Sequence, residues 1–272
     1  MMLNKRLLIV LVISLSIGLS FGQSLKTHKH ITKDSVYLNY INPFYAPLEL
    51  TLSPLDSTKS FVKVNPYAVL KHRDTLKNAL VIPLNRVKDT SIIDSKLYIN
   101  FKGNFGNPNS IVNETYRYTL PYPKGKKYKI IQTFGGKFSH NKPHSRYAVD
   151  FGMKVGDTIT AARDGIVFFI KEDSNEYCKT RKCVDKGNKV LILHKDGTMM
   201  HYVHLDFEGA IVNVGDKVKV GQPIAISGMT GFTTTPHLHL VMYKSGGISI
   251  PFYFKGQKRK KLKQGKYYKR KN

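Results

Sequence analysis

The chain has 272 residues, 41% of them apolar, which suits about two domains with buried cores and excludes a wholly disordered chain. Its 44 Lys and Arg residues against 18 Asp and Glu give a formal net charge of +26, which indicates an anionic partner such as nucleic acid, a membrane face or cell wall. Two cysteines are too few for a disulfide scaffold or a zinc site built from four cysteines.

The N-terminus has the pattern of a secretory signal peptide over residues 1–22. Lys5 and Arg6 precede an apolar run over 7–19, and Ser20-Phe21-Gly22 is a small-x-small cleavage pattern. An uncleaved anchor is the alternative, but the run is shorter than the roughly 20 residues that span a bilayer. We therefore predict export to the periplasm, the cell envelope or the medium, with no transmembrane segment after cleavage.

Export bears on the two cysteines, Cys178 and Cys183, which lie in a polar stretch between two apolar runs. An oxidising compartment favours a small disulfide loop, and two free thiols are the alternative. A metal site from this pair alone lacks partners at zinc-finger spacing.

The first half of the chain is predicted to be an accessory, β-sandwich-like domain over residues 23–122. Apolar and polar residues alternate in short stretches such as 35–40, 48–52 and 97–101, with Asn-Pro, Ser-Pro and Gly-Asn turn signals between them. This half contains no cluster of metal ligands and no nucleophile motif.

Strand signals resume after a linker at 121–127 that contains two prolines and a glycine, and they continue over residues 128–254. Residues 255–272 hold ten Lys or Arg and no acid, and we predict a basic, disordered tail that attracts anionic envelope polymers. Without the tail and the two charged residues of the signal peptide, +14 remains. The net charge is therefore poor evidence about the active centre.

The residues that carry chemistry lie on two predicted strands. His237 and His239 are two residues apart, so their imidazoles point to one face of a strand. Asp150 lies near the end of a second alternating stretch, residues 147–151. Two imidazoles, one carboxylate and a water form an open catalytic zinc site. Copper and iron also accept imidazole and carboxylate, although the lack of thiolate fits zinc well.

A series of motifs over about 100 residues resembles the lysostaphin/LytM-type zinc metallopeptidases, which cut peptide bonds in bacterial peptidoglycan. The matching pieces are Phe138-Ser139-His140, Tyr147-Ala148-Val149-Asp150-Phe151, Ala161-Ala162-Arg163-Asp164-Gly165, His201-Tyr202-Val203-His204-Leu205, Gly221-Gln222-Pro223-Ile224, Gly228-Met229-Thr230-Gly231 and Pro236-His237-Leu238-His239. The resemblance implies a mainly β chain whose C-terminal peptidase domain is an antiparallel β sandwich-barrel hybrid, in agreement with the strand signals.

Carried over by position, the resemblance implies that His140, Asp150 and His239 bind Zn²⁺, while His204 and His237 handle water and protons. The commonest first motif of the family has three residues between the histidine and the aspartate, whereas nine follow His140 here. A subset of the family has a longer loop after Phe-Ser-His, and this sequence is similar to that subset. His144 is the alternative first ligand.

Two further histidines receive structural interpretations. If residues 200–205 form a strand, His201 and His204 point to opposite faces, and the Tyr-x-His-Leu context favours His204 in the site. His201 is then a surface or packed residue. His194 ends an apolar run and is interpreted as a packed residue.

Two alternatives to an exported peptidoglycan endopeptidase stay open. Some relatives of this fold have lost ligands and regulate other wall hydrolases, so a catalytically inactive, wall-binding regulator is the first. The second is nucleic-acid binding through the basic tail, where Tyr267 and Tyr268 lie among lysines. The signal peptide opposes a cytoplasmic role, and lysine runs bind any polyanion, so no specific nucleic acid is predicted.

Overall fold

The computed structural model describes residues 13–15, 25–257 and 260–271, and these are mostly β structure, as predicted. Contacts between Cα atoms divide the chain into two units, Met1–Asn104 and Phe105–Asn272. The predicted signal peptide lies outside the described residues apart from 13–15 and stays a prediction, as do the domain boundaries drawn from the sequence. Within the described part, no helix is long and apolar enough to cross a bilayer.

The first unit consists of two antiparallel sheets. Its strands are β1 (Ile13–Leu15), β2 (Leu25–Ile31), β3 (Ser35–Ile41), β4 (Leu48–Pro54), β5 (Lys63–Val64), β6 (Tyr67–Leu70), β7 (Thr75–Pro83) and β8 (Ile99–Phe105), with 3-10 helices at Leu84–Arg86 and Ser95–Leu97. The sheet orders are β1-β2-β3-β7-β5 and β6-β4-β8. Strand β3 shows the predicted alternation, because Val36, Leu38 and Tyr40 are buried while their neighbours are half-buried.

The second unit is built on a large antiparallel sheet. Its strands are β9 (Arg117–Tyr118), β10 (Lys127–Gln132), β11 (Val149–Phe151), β12 (Thr158–Thr160), β13 (Gly165–Lys171), β14 (Tyr177–Cys178), β15 (Lys189–Leu193), β16 (Met199–Val203), β17 (Leu205–Ala210), β18 (Lys217–Val218), β19 (Pro223–Ser227), β20 (Gly231–Phe232), β21 (Leu238–Lys244), β22 (Ile248–Ser249), β23 (Tyr253–Phe254) and β24 (Tyr267–Lys269), with a 3-10 helix at Arg181–Lys186. The main order is β18-β13-β15-β16-β21-β11-β10-β24, with β22 beside β21.

A second sheet of this unit, β12-β19-β17, shares one apolar core with the large sheet. Phe151, Val167 and Leu240 of the large sheet and Ile159 and Ile224 of the small one belong to this buried cluster. Burial of these side chains on one face leaves the other face of β11 and β21 free to carry polar groups.

The C-terminal segment is folded in its described part, residues 255–257 and 260–271, so the prediction of a disordered tail is wrong there. Strand β24 pairs with β10, with Tyr268 opposite Tyr128. The hydroxyl of Tyr122 donates a hydrogen bond to the carbonyl of Tyr268 at 2.6 Å, and Leu262 is 2% exposed. Aromatic and apolar residues among the lysines therefore give this segment contacts that its charge alone does not indicate.

The two cysteines form a disulfide, which confirms the interpretation that the sequence favours. Cys178 lies in β14 and Cys183 in the 3-10 helix that follows. The bond closes a short loop in the segment that connects β13 with β15, and β14 pairs with β20.

Candidate metal centre

The register of two neighbouring strands brings the first pair of polar groups together. In the antiparallel ladder of β11 and β21, Asp150 lies directly opposite His239. Directly opposite side chains on one face of such a pair are close enough to interact. Here the Nδ1 atom of His239 is 2.8 Å from Oδ1 of Asp150. Residues far apart in the sequence thus meet on one face of the sheet.

His140 reaches the same place from the loop between β10 and β11. Its side chain is fully buried, and its Nδ1 atom is 3.0 Å from the carbonyl oxygen of Thr133. Its Nε2 atom is 3.2 Å from Oδ2 of Asp150, yet it has no hydrogen-bond partner of acceptable geometry. His144, the alternative first ligand, is exposed and lies on the wall of the cleft.

The donor set of His140, Asp150 and His239 fits a metal ion. One ligand atom from each of the three lies within 4.8 Å of the other two. A buried imidazole nitrogen without a hydrogen bond is costly unless something binds its lone pair. The Nδ1 contact of His140 to a carbonyl fixes the tautomer that presents Nε2 as that lone pair. Two imidazoles and one carboxylate leave a coordination position open, as in catalytic zinc sites.

Electrostatics also favour a cation beside Asp150. Burial alone would raise the pKa of this carboxyl, but the neighbouring His237, His140 and His239 outweigh burial and hold the pKa well below its usual range. The carboxylate is therefore ionised inside the protein. A buried charge of this kind is strongly stabilised by an opposite charge.

A second histidine group overlaps the first. His204, His237 and His239 also have ligand atoms within 4.8 Å of one another, but this set lacks a carboxylate. The Nδ1 atom of His204 is 2.7 Å from the carbonyl oxygen of Thr230, and that of His237 is 2.8 Å from the carbonyl oxygen of Thr235. Each contact leaves Nε2 as the nitrogen that can accept a proton.

The two anchored rings are packed close together. The ring centroids of His204 and His237 are 4.6 Å apart, and those of His204 and His239 are 5.8 Å apart. Burial, and then the neighbouring His237 and His239, lower the pKa of His204 well below its usual value. His204 is therefore neutral at pH 7 and available as a base.

The expectation that His201 and His204 point to opposite sides is wrong. Strand β16 ends at Val203, and His204 has a φ of +67°, which breaks the alternation of a strand. Both side chains consequently line the same cleft. The His201 ring packs against Tyr243 with centroids 4.4 Å apart. Burial, followed by the charge of Lys189, lowers the pKa of His201, which keeps it neutral.

His194 is a packed residue, as interpreted from the sequence. It is 2% exposed, and its Nδ1 atom is 2.8 Å from the carbonyl oxygen of Asp164. Burial lowers its pKa to about 4, and the bond to Asp164 only partly opposes that effect.

Gln132 contacts the candidate metal centre, although no pattern in the sequence singles it out. It lies opposite Asp150 in the ladder of β10 and β11, beside a register shift. Its amide nitrogen donates to Oδ2 of Asp150 at 3.1 Å and to Oγ of Ser139 at 2.7 Å. Its amide oxygen accepts from the backbone N–H groups of Phe138 and Ser139 at 3.2 and 3.3 Å. Gln132 therefore holds the candidate ligand Asp150 and the loop that carries His140 in one arrangement.

Asp150, His204, His237 and His239 line a cleft of about 460 Å³, whereas His140 is fully buried beside Asp150 and is not part of the cleft surface. Its walls include the exposed ring of Phe138, Phe232, Arg181, Lys189 and the run Thr233–Thr235. Among the described residues that line it, Asp150 is the only acid. An open trough with an ionised carboxylate and several neutral imidazoles can hold an extended polymer beside a metal ion.

The geometry agrees with the comparison to known proteins. Residues 144–251 match Peptidase family M23, a range that includes Asp150, His204, His237 and His239 but not His140. The chain is 33% identical over 130 residues to the peptidoglycan DD-endopeptidase ShyA of Vibrio cholerae, which covers 46% of this chain and 27% of that protein.

Two further similar proteins are peptidases by name. The glycyl-glycine endopeptidase ALE-1 of Staphylococcus capitis is 38% identical over 96 residues, covering 35% of this chain and 24% of that protein. The solved structure of the antimicrobial peptidase lysostaphin from Staphylococcus simulans is 31% identical, with a TM-score of 0.34, and covers 46% of this chain and 47% of that one. The chain spans about a quarter of the length of the curated relatives ShyA and ALE-1. The resemblance carried by the sequence motifs is confirmed, because residues 144–251 match the model of Peptidase family M23 and the relatives above are similar over the same region.

Proposed function

We propose that this chain is an exported zinc metalloendopeptidase that hydrolyses peptide bonds in bacterial peptidoglycan. The observation that carries the proposal is the convergence of His140, Asp150 and His239 at a cleft lined by two anchored histidines, His204 and His237. The peptidoglycan endopeptidases among the relatives supply the substrate class. An inactive regulator would have no need for a complete set of ligands and bases.

In this proposal His140, Asp150 and His239 hold the zinc ion. Bound zinc polarises the carbonyl of a peptide bond and lowers the pKa of a water molecule. Gln132 keeps the carboxylate of Asp150 oriented, and the carbonyl of Thr133 engages Nδ1 of His140, so that Nε2 would be its ligand atom.

His204 and His237 move the protons. Each ring is fixed through Nδ1 to a backbone carbonyl, so Nε2 is the atom that takes a proton from water and returns one to the leaving amine. The oxygen of Thr233 lies 3.2 Å from Nδ1 of His237 and further restricts that ring. A fixed imidazole avoids the cost of reorienting the base during the reaction.

The place of action follows from the same proposal. Peptidoglycan lies outside the cytoplasm, in agreement with the signal peptide predicted for residues 1–22. Anionic envelope polymers are proposed partners of the basic C-terminal segment, whose described lysines, such as Lys263, Lys266 and Lys269, are exposed.

The test measures zinc content and the fragments released from purified peptidoglycan. We expect about one zinc ion per chain and fragment release by the wild type, with loss of both in His239→Ala. His28→Ala, which removes an exposed histidine of the first unit, is the matched control and should behave as wild type. Equal release by wild type and His239→Ala contradicts the proposed metal centre. Bound zinc without any release supports the inactive regulator instead.

A further inference from the structure

One wall of the cleft is formed by the disulfide loop, residues 177–187. Strand β14 begins the loop, the Cys178–Cys183 bond closes it, and the 3-10 helix Arg181–Lys186 completes it. Arg181 is the first residue of that helix and lies inside the ring closed by the disulfide. A covalent closure over so few residues restricts the positions that Arg181 can occupy.

The loop is docked on β20 by backbone bonds. Strands β14 and β20 pair in parallel, with Cys178 opposite Phe232. The N–H of Thr233 donates to the carbonyl oxygen of Cys178 at 3.1 Å, and the N–H of Gly231 donates to the carbonyl oxygen of Glu176 at 2.8 Å. Gly231 has a φ of +86°, and a Cβ there would lie 2.6 Å from Cα of Gly187. This close approach holds the loop against the strand that leads to His237.

Arg181 projects into the cleft over an aromatic surface. Its guanidinium carbon is 5.7 Å from the ring centroid of Phe232, within the range of a cation–π contact. Phe232 in turn stacks on Phe138, with centroids 5.9 Å apart and an interplanar angle of 26°. The aromatic pair fixes the plane on which the guanidinium rests. Arg181 is thus an exposed cation on the cleft wall, with its guanidinium beside this aromatic pair.

Arg181 has no acidic partner among the described residues. The nearby Lys186 is paired with Glu176 at 2.8 Å, and the arginine of the core, Arg163, is paired with Asp196 at 2.8 Å. No carboxylate oxygen of the described chain lies within 4.0 Å of the Arg181 guanidinium. The planar fork of donors is thus free to bind an external carboxylate in bidentate fashion.

The charge of the cleft favours the same class of ligand. The only acid among its described lining residues, Asp150, is engaged with the candidate metal centre, while Arg181 and Lys189 are cations on its walls. Burial, and then the charge of Lys171, lowers the pKa of Lys189. Arg181 is an arginine, whose guanidinium stays charged at any ordinary pH.

We propose that Arg181, held by the Cys178–Cys183 disulfide, binds a carboxylate of the peptide substrate and so selects substrates with a free carboxyl group on that side of the cleft. The proposal rests on the proposed function and adds to it a binding group and the chemistry it recognises. Arg181 is a specificity residue, not a participant in bond cleavage.

The test compares cross-linked wall peptides with free carboxyl groups and the same peptides after amidation. Binding is measured on the full chain stripped of zinc, so that nothing is cleaved, and kcat and KM are measured on the zinc-loaded chain. Arg181→Gln is the test variant, and Arg181→Lys keeps the positive charge but lacks the planar guanidinium with its paired N–H donors. Lys182→Gln is the matched control, because Lys182 is the next residue of the same loop, is exposed and does not line the cleft.

We expect the wild type and Lys182→Gln to bind the free peptides about tenfold more tightly than the amidated ones, which corresponds to one charge-assisted bond. Arg181→Gln should lose this preference, with a raised KM and an unchanged kcat, and Arg181→Lys should keep part of it. A preference retained by Arg181→Gln, its equal loss in Lys182→Gln, or its absence from the wild type overturns the proposal. If the zinc-loaded chain cleaves nothing, the proposed function fails while the binding comparison still decides the role of Arg181.

Discussion

Gln132 offers the sharpest test of how the candidate metal centre is held. In Gln132→Leu, Asp150 loses the amide that donates to its Oδ2 atom, and the N–H groups of Phe138 and Ser139 lose their acceptor. Removing such a partner of a ligating carboxylate weakens metal binding by about 10- to 100-fold. This corresponds to about 1.4–2.8 kcal/mol, the size expected for one bond to a charged group.

Zinc affinity is measured by competition with a chromogenic chelator at pH 7, and thermal unfolding of the zinc-free chain measures stability separately. Gln222→Leu is the matched control, because that side chain also accepts a backbone N–H bond, from Lys219 at 3.0 Å, but lies outside the cleft. We expect weaker zinc binding in Gln132→Leu only. Loss of one such bond should raise the dissociation constant for zinc about tenfold or more. If the dissociation constant of Gln132→Leu is within about twofold of the wild type, Gln132 does not orient Asp150.

Three other outcomes are expected. In the folded chain His194 has a pKa of about 4 and is neutral, whereas in the unfolded chain it takes up a proton near pH 6.5. The free energy of unfolding should therefore fall by about 3 kcal/mol between pH 6.5 and pH 4. Urea unfolding at each pH should show a smaller fall in His194→Gln. Reducing the Cys178–Cys183 disulfide should diminish the preference for carboxylated peptides in the same binding assay, and an unchanged preference would show that the bond does not position Arg181. Leu262→Ala should lower the free energy of unfolding by about 2–5 kcal/mol because the Leu262 side chain is buried, while Lys263→Ala, at an exposed residue, should leave it unchanged. Equal melting temperatures of the two variants would contradict a packed C-terminal segment.

Much of the site was predictable because its residues form local patterns. The spacing of His237 and His239 and the alternation around Asp150 indicate strands and ligands directly. The pairing of Asp150 with His239 depends instead on the register of β11 and β21, which are distant in sequence. Register is set by burial of one whole face of a sheet, so a single segment does not reveal it. Gln132 was missed for the same reason, since only the fold places it opposite Asp150.

Two local rules failed at identifiable residues. The two-residue period assigned His201 and His204 to opposite sides, but the left-handed backbone of His204 turns its side chain into the same cleft. Charge composition predicted disorder after residue 254, yet Leu262 is buried and Tyr268 accepts a hydrogen bond. A few apolar residues outweigh many exposed lysines, because each lysine keeps its charge in water while the apolar side chain is buried.

The pairing of β24 with β10 has a consequence for the order in which the site is completed during synthesis. Residues 127–132 are made long before residues 267–269, so β10 has one unpaired edge until the last strand has been synthesised. The candidate ligands His140, Asp150 and His239 all precede that strand. A chain shortened before residue 267 would therefore keep every candidate ligand and yet expose the backbone of the strand beside Asp150, a surface on which other strands can add. Such a chain should self-associate before it loses the ability to bind metal.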